Sequence, residues 1–338
     1  MKIAIAVPPG AAPRSGNCHT AARWRRFLRE LGHRVRVVSE WGGGSDDLLL
    51  ALHARKSAAS VLRFRQQRPD APLIVALTGT DLYRDIGKSA RARRSLALAT
   101  RLVVLQEEGL RELAPALRGK TRVVHQSSEV RLRHAPCKAG FRIAVIGHLR
   151  GEKDPFRAVR ALRDLDRAAR VEVLQIGAAL DEPMRARVLA WQEREPRYRW
   201  LGSLAHASTM RWLATCHLLV VSSVMEGGAN VICEAARIGV PVLASRISGN
   251  VGMLGRDYPG YFPLLDDQAL ARLIERSRAD EIFYARLKRA LLRRRKLFAP
   301  AAERAALKRL LQRLPATRSM ARPGDSQSAA RRRAEFRR

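Results

Sequence analysis

This 338-residue sequence predicts an α/β protein built from two doubly wound parallel sheets. Three observations lead there. Short apolar, β-branched runs alternate with longer amphipathic stretches from end to end, the mark of βαβ units whose sheets are covered on both faces. The rhythm breaks at the polar, basic stretch 127–140 and restarts at Phe141, which divides the chain into two similar halves. Several strands also run into loops rich in Gly, Pro, Ser or Thr at their carboxyl ends, where ligands of such sheets bind. The length suits two domains, each with its own core.

The first half opens with a strand over Lys2–Val7, a Gly/Pro loop, and a helix over His19–Leu31 that Gly32 closes as a C′ residue. Strands His33–Ser39 and Leu48–Leu52 follow, then helix Arg55–Gln67, strand Leu73–Leu77 and helix Lys88–Ala99. Strand Arg101–Leu105, helix Glu107–Leu117 and strand Arg122–His125 complete this half. The second half reads strand Phe141–Gly147, strand Val171–Ile176, helix Asp181–Glu193, a short strand Tyr198–Leu201, helix His206–Ala214 and strand His217–Ser222. Helix Ala229–Ile238, strand Pro241–Ala244 and helices Asp266–Arg278, Asp280–Leu297 and Pro300–Leu314 end the pattern. The expected division is 1–135 and 136–297, with a helix over 298–315 that packs back on the first half and a tail over 316–338. Two facing domains of this kind enclose a cleft between their strand ends.

Composition excludes several classes. The apolar fraction, 46%, is that of a globular chain, and no apolar run approaches the ~20 residues needed to span a bilayer. Met1 leads straight into a short strand with no basic n-region, so no secretory leader is expected. Cys18, Cys137, Cys216 and Cys233 are scattered, with no CxxC pair, which suits free thiols in a reducing cytoplasm. The formal charge of +33 rests on 55 arginines against nine lysines. That excess is spread over helices throughout the chain and looks like the coding bias of a GC-rich genome rather than a nucleic-acid face. The tail differs: 316–338 lacks apolar periodicity and ends in an Arg cluster, so disorder and weak, unspecific polyanion binding are expected of it.

The chemistry concentrates in SSVMEGGANVICEAARIGVPVLAS, residues 222–245. A buried strand ends at Ser222–Ser223, a loop carries Glu226, Gly227 and Gly228, and a helix starts near Ala229 or Asn230. Glycines at a helix N-terminus leave amides open to an anion such as a phosphate. Glu226 and Glu234 flank that point and could accept hydrogen bonds from a sugar diol, or they could merely complement the helix dipole. Upstream, IGHLRGEKDP (146–155) sets His148, Arg150 and Lys153 in a strand–helix loop, where cations can neutralise a leaving diphosphate. Asp164 and Asp166 form a DxD-like pair, but inside a helical pattern, and no metal site is expected. In the first half, Arg14, Ser15, Gly16 and Asn17 follow the first strand. His53, Arg55 and Lys56 follow another, and Thr78, Gly79, Thr80, Asp81 and Arg84 a third. All should face the cleft, unless they are polar strand ends without function.

Glu-x7-Glu followed by a helix, Gly and Pro-Val resembles the donor motif of the large retaining glycosyltransferase family with the GT-B fold of two Rossmann-like domains. The resemblance covers most of residues 1–297. It implies that Glu234 holds the ribose of a nucleotide sugar and that Glu226 contacts the transferred sugar. It also implies that the amides of Gly227, Gly228, Ala229 and Asn230 meet sugar and diphosphate, and that Lys153 binds the diphosphate without a metal. His148 stands where that family carries arginine. WLGSLAHAST (200–209) resembles the stretch framing the base, with Gly202, Ser203 and Leu204 as contacts.

The set SGNCHTAARW, ALHARKSAAS, ALTGTDLYRD, GHLRGEKDP, RYRWLG, MEGGANVICEA and DYPGYFP is similar to the selenosugar synthases of selenoneine biosynthesis. That implies selenophosphate as acceptor, a UDP-sugar (UDP-N-acetylglucosamine above all) as donor, and no cofactor. A preformed selenium anion needs cations and N–H donors rather than a strong base. Arg14, Ser15, Gly16, Asn17, His53, Lys56, Thr78, Gly79, Thr80 and Asp81 are the acceptor-side candidates, with Arg55 and Arg84 as further cations. A related transferase acting on an alcohol is the alternative. A basic nucleic-acid-binding protein is the weakest reading, since recognition-helix, zinc-finger and aromatic-strand signals are missing.

Overall fold

The computed structural model describes residues 1–10 and 15–314. The expected disordered tail and Arg14 lie outside them. Among the described residues, the first sheet contains β1 (Lys2–Ala6), β2 (Arg34–Val38), β3 (Leu48–Leu52), β4 (Leu73–Leu77), β5 (Arg101–Val104) and β6 (Thr121–Val123), in the order β2-β1-β3-β4-β5-β6. The second contains β7 (Phe141–Ile146), β8 (Val171–Ile176), β9 (Tyr198–Trp200), β10 (Leu218–Val221), β11 (Val242–Ser245) and β12 (Tyr261–Phe262), in the order β12-β11-β10-β7-β8-β9. All pairings are parallel, with Ile3 opposite Leu48 and Val220 opposite Val145. The two-Rossmann GT-B architecture expected from the sequence is present.

The helices are α1 (Gly16–Glu30), α2 (Ala58–Gln67), α3 (Ile86–Lys88), α4 (Ala90–Leu98), α5 (Pro115–Arg118), α6 (Arg157–Ala161), α7 (Glu182–Arg194), α8 (His206–Ala214), α9 (Asn230–Ile238), α10 (Ser248–Leu254), α11 (Asp267–Ala279), α12 (Glu281–Arg294) and α13 (Pro300–Gln312). In the first half they cover both sheet faces. Trp24, Phe27 and Leu28 of α1 pack with Ile3 and Ile5, while Val61 and Phe64 of α2 pack with Ala4, Leu49 and Val75 on the other face. One large core, from Ile143 to Phe298, serves the second half.

Some elements differ from the sequence expectation. α1 starts three residues earlier than the periodicity indicates, because Ser15 caps it: its Oγ accepts from the Cys18 amide. The single helix expected over 107–117 is broken into a 3₁₀ turn, Glu107–Leu110, and the short α5. Pro115 forces Ala114 into an extended conformation, ψ 143°, so no helix can run through. A π-helical turn, Asp81–Asp85, precedes α3. Asp164 closes a 3₁₀ turn and Leu165 is extended, so Asp164 and Asp166 are exposed loop residues rather than helical ones. α6, α10 and β12 have no counterpart in the sequence pattern. α10 reads Ser-Gly-Asn-Val-Gly-Met-Leu, poor helix formers that burial holds in place.

α13 returns to the first half, where Leu307 and Leu310 join Trp24 and Leu28. Its buried Glu303 accepts from Arg23 Nε (2.7 Å), Trp24 Nε1 (2.6 Å) and the Ser127 amide and hydroxyl (2.8 and 2.5 Å). No helix among the described residues is long and apolar enough to cross a membrane. The four cysteines are unpaired.

Candidate active site

Strand order places the site before any side chain is considered. In the first sheet the order reverses between β1 and β3, and in the second between β7 and β10. Ligands of doubly wound sheets sit beyond the carboxyl ends at such a switch point. The described loop residues there are 7–10 and His53–Lys56 in one half, Gly147–Lys153 and Ser222–Asn230 in the other.

The second-half switch point unites Lys153 and Glu226. Their side chains form an ion pair, and the same Glu226 Oε1 accepts from Ser223 Oγ at 2.6 Å. Glu226 is 8% exposed, and these two donors satisfy its buried Oε1. Gly147, Gln175, Ser222 and Ser223 line a small cavity with the pair, and Gln175 Oε1 is buried in it without a protein partner. The Ser222 hydroxyl donates to the Asp154 carbonyl at 2.8 Å, fastening the β10 loop to the Lys153 turn. Arg150 is exposed at the head of that turn. His148 is half-buried and accepts from the Ala178 amide at 3.3 Å, an orientation that fixes the ring against the β8 loop.

α9 begins at Asn230 behind Ala229, which supplies no side-chain cap, so its first amides are not covered by the helix itself. Glu234 lies one turn on. Its Oε1 bonds His206 Nε2 at 2.8 Å, and this hydrogen bond raises the His206 pKa against the opposing effect of partial burial. His206 starts α8 directly after the Gly202–Leu204 loop, where Gly202 is left-handed, Ser203 exposed and Leu204 half-buried.

Gly227 and Gly228 meet the first half. A Cβ on Gly227 would collide with the Thr78 carbonyl oxygen and lie 2.7 Å from the Gly79 nitrogen; one on Gly228 would lie 2.8 Å from Leu105 Cβ. The two loops are therefore in main-chain contact, which the sequence reading of these glycines as phosphate-facing did not foresee.

On the first-half side, Ser15 caps α1, with Gly16 exposed and Asn17 half-buried in its first turn. His53 is buried and left-handed, φ 75°. Its Nδ1 accepts from the Lys56 amide at 3.3 Å, and its Nε2 lies 3.0 Å from Thr80 Oγ1. Burial holds its pKa below the ordinary value, with Asp81 and Asp85 offsetting only part of the effect. Asp81 is fully buried, and three main-chain amides engage it: those of Thr78 and Gly79 on Oδ1 and that of Ala54 on Oδ2. Offered by sequence as an acceptor contact, Asp81 is thus occupied in tying the β3 and β4 loops together. Arg55 pairs with Asp85 at 2.7 Å, the Lys56 side chain is exposed, and Arg84 reaches Glu152 of the second half at 3.5 Å.

Four residues here escaped the sequence analysis: Ser223, Gln175, His206 and Asp85. Gln175 carried a faint signal, a polar side chain inside the apolar run VEVLQI. The others stand beside predicted residues and differ from ordinary surface groups only in space. Among the described residues, no three His, Cys, Asp or Glu side chains gather as a metal site. A broad groove along α11, lined by Asp164, Arg272 and Glu275, contains none of the predicted residues.

Residues 133–293 match the family described as glycosyl transferases group 1. Several solved structures share the fold. HepE from Anabaena, in complex with UDP and glucose, superposes with a TM-score of 0.71 at 16% identity, covering 92% of this chain and 99% of its own. Sucrose-phosphate synthase from Thermosynechococcus elongatus gives 0.74 at 16%, covering 93% and 98%. The lipopolysaccharide outer core galactosyltransferase WaaB gives 0.63 at 13%, covering 92% and 99%.

Proposed function

We propose that this chain, a GT-B protein with a group 1 glycosyltransferase domain in its second half, transfers the sugar of a UDP-sugar, UDP-N-acetylglucosamine above all, to selenophosphate. The observation that carries the donor half is the Lys153–Glu226 pair at the β7/β10 switch point, next to the uncapped start of α9. An amine and open helix amides suit a diphosphate. Both bonds to Glu226 fall on Oε1, which leaves Oε2 for a sugar hydroxyl. In this reading Glu234 accepts from the ribose diol, a role supported by its hydrogen bond to His206 beside the Gly202–Leu204 loop. The UDP seen in HepE is in keeping with that donor class.

In the proposed reaction a selenium lone pair forms the bond to the anomeric carbon as the bond from that carbon to the diphosphate oxygen breaks, and UDP departs with the electron pair. Lys153 and the α9 amides stabilise the charge that develops on the diphosphate, without a metal ion. The selenium acceptor rests on the seven motifs set out above together with the cation- and amide-bearing strand ends of the first half. A transferase acting on an alcohol shares the whole donor half, and the acceptor alone separates the two.

The deciding experiment is mass spectrometry of products from UDP-N-acetylglucosamine and selenophosphate, with and without EDTA. A selenium-containing sugar formed in both arms supports the proposal. UDP-sugar binding with no selenium product from any donor would falsify the acceptor assignment, and loss of product with EDTA would remove the metal-free mechanism.

A further inference from the structure

Backbone and side-chain irregularities converge at the ends of β3 and β4. His53 is a left-handed non-glycine residue, Thr80 leads into a π-helical turn, and Asp81 is a fully buried carboxylate bonded to three amides. Departures of this kind gather at functional sites, because a structure must be over-determined to keep them. Here Asp81 does the over-determining, since it ties the Ala54 amide of one loop to the Thr78 and Gly79 amides of the other.

The hydrogen bonds of His53 fix its protonation by elimination. The Lys56 main-chain N–H can only donate, so Nδ1, 3.3 Å away, presents its lone pair. The proton of the neutral ring is then on Nε2, which lies 3.0 Å from Thr80 Oγ1. The charged groups facing the ring are Asp81 and Asp85, at 3.9 and 3.8 Å and beyond hydrogen-bond reach, together with Lys56 and Arg55. Arg55 compensates Asp85 at 2.7 Å. Burial favours the neutral ring, in agreement with this geometry. Thr80, having accepted from His53, keeps its own hydroxyl hydrogen to give away, and it is half-buried at the strand end.

We propose that His53 is a positioning residue that makes the Thr80 hydroxyl a hydrogen-bond donor to an anionic acceptor, and that it is not the base of the reaction. This rests on the anionic acceptor proposed above and gives it a specific contact. A ring whose one lone pair is already bonded to the main chain has no vacancy for the proton of an alcohol, whereas a donor hydroxyl suits an oxygen of a phosphate-like anion.

Three variants and one spectrum test it. Thr80→Val should raise the KM for selenophosphate roughly tenfold, the loss of one hydrogen bond, with the Kd for UDP unchanged, and Thr80→Ser should restore it. His53→Asn keeps an amide donor in a residue that tolerates left-handed backbone, and should retain kcat within about tenfold, whereas removal of a general base loses about 10²–10⁴-fold. A kcat loss of that size in His53→Asn, with both KM values unchanged, overturns the proposal. Nitrogen-15 spectra of histidine-labelled protein at neutral pH should show the His53 ring neutral with Nε2 protonated, and a doubly protonated ring overturns the assignment whatever the acceptor. Turnover with an alcohol but not with selenophosphate would overturn the anionic acceptor here and in the proposed function alike, while the spectrum still reads the ring.

Discussion

Glu226 and Glu234 are both carboxylates of one motif, yet their surroundings divide their expected effects. Glu226 is buried against Lys153 and Ser223, where charge on a leaving diphosphate would develop, and Glu234 is bonded to an exposed imidazole at the edge of α8. Glu226→Ala should therefore lower kcat about 10²-fold or more, the scale of one lost electrostatic partner at a reacting centre. Glu234→Ala should instead weaken UDP-sugar binding by about 1.5–3 kcal/mol, the range for hydrogen bonds to a charged group. Unchanged steady-state kinetics in both variants would remove the donor assignment. The pair with His206 adds a pH dependence. Its hydrogen bond to Glu234 raises the His206 pKa, so the contribution of the charged pair is complete below the ordinary histidine value and is lost as pH rises through the raised one. The KM for the UDP-sugar is expected to climb across that window in the native protein and to be flat and elevated in His206→Ala.

Elements fail or hold for reasons the sequence states only in part. Gly227, in the loop before α9, lies against the main chain of Thr78 and Gly79, so Gly227→Ala should drive the Thr78–Gly79 and Glu226–Gly228 loops apart. The expected result is a loss of transfer of at least tenfold with circular dichroism unchanged, because the clash lies between the sheets rather than inside either. A variant with full activity would show that this contact is dispensable. α13 is fastened by a buried carboxylate as well as by Leu307 and Leu310: Glu303 serves Arg23, Trp24 and Ser127. Glu303→Ala leaves those donors uncompensated and should destabilise the fold by about 3–5 kcal/mol, measured by urea unfolding. Glu303→Gln, which keeps an acceptor, should cost less.

Across the whole molecule the halves are joined by Tyr83 to Ser248 (3.1 Å), Arg256 to Glu108 (2.9 and 3.0 Å) and Arg294 to Glu107 (3.4 Å). Burial alone would raise the Glu107 carboxyl, but the His125 and Arg294 contacts outweigh it and bring the pKa to about 2 from 4.5. The stabilisation it gives is present above its ordinary value and disappears as pH falls from there toward 2. Most of the lowering comes from His125, in the same half as Glu107, and the least from Arg294 across the halves, so acid should first weaken this corner of the first half: the urea midpoint should fall as pH drops toward 2, a dependence that Glu107→Gln should flatten. We propose a division of the chain at 135/136, with α13 (Pro300–Gln312) belonging spatially to the first half and Phe298 to the second-half core. Cleavage at the inter-sheet connection by limited proteolysis, leaving two folded fragments, would support it. Deleting 316–338 should weaken retention on heparin and leave UDP-sugar binding unchanged; impaired sugar chemistry would give the tail a role in catalysis.

Sequence alone determined the two parallel sheets, because a strand buried on both faces must be a continuous apolar run and LLLAL and LIVAL can be little else. It also determined the motif bearing Glu226 and Glu234 and the loop bearing Lys153, since residue type and spacing are local properties. It did not determine that Lys153 and Glu226, 73 residues apart, pair at a switch point, because strand order is fixed by packing across the sheet. Nor could it place Gly227 against Thr78, a contact between surfaces far apart along the chain; the return of α13 to the first half was expected, but not the buried Glu303 that fastens it there. Local pattern misled where one residue overrode it, at Pro115, and where burial replaced propensity, at α10. The tertiary structure alone decided which polar groups are bonded inward, as Asp81 is, and which keep a hydrogen to give, as Thr80 does. That distinction rests on burial and hydrogen-bond partners, which no run of residue letters contains.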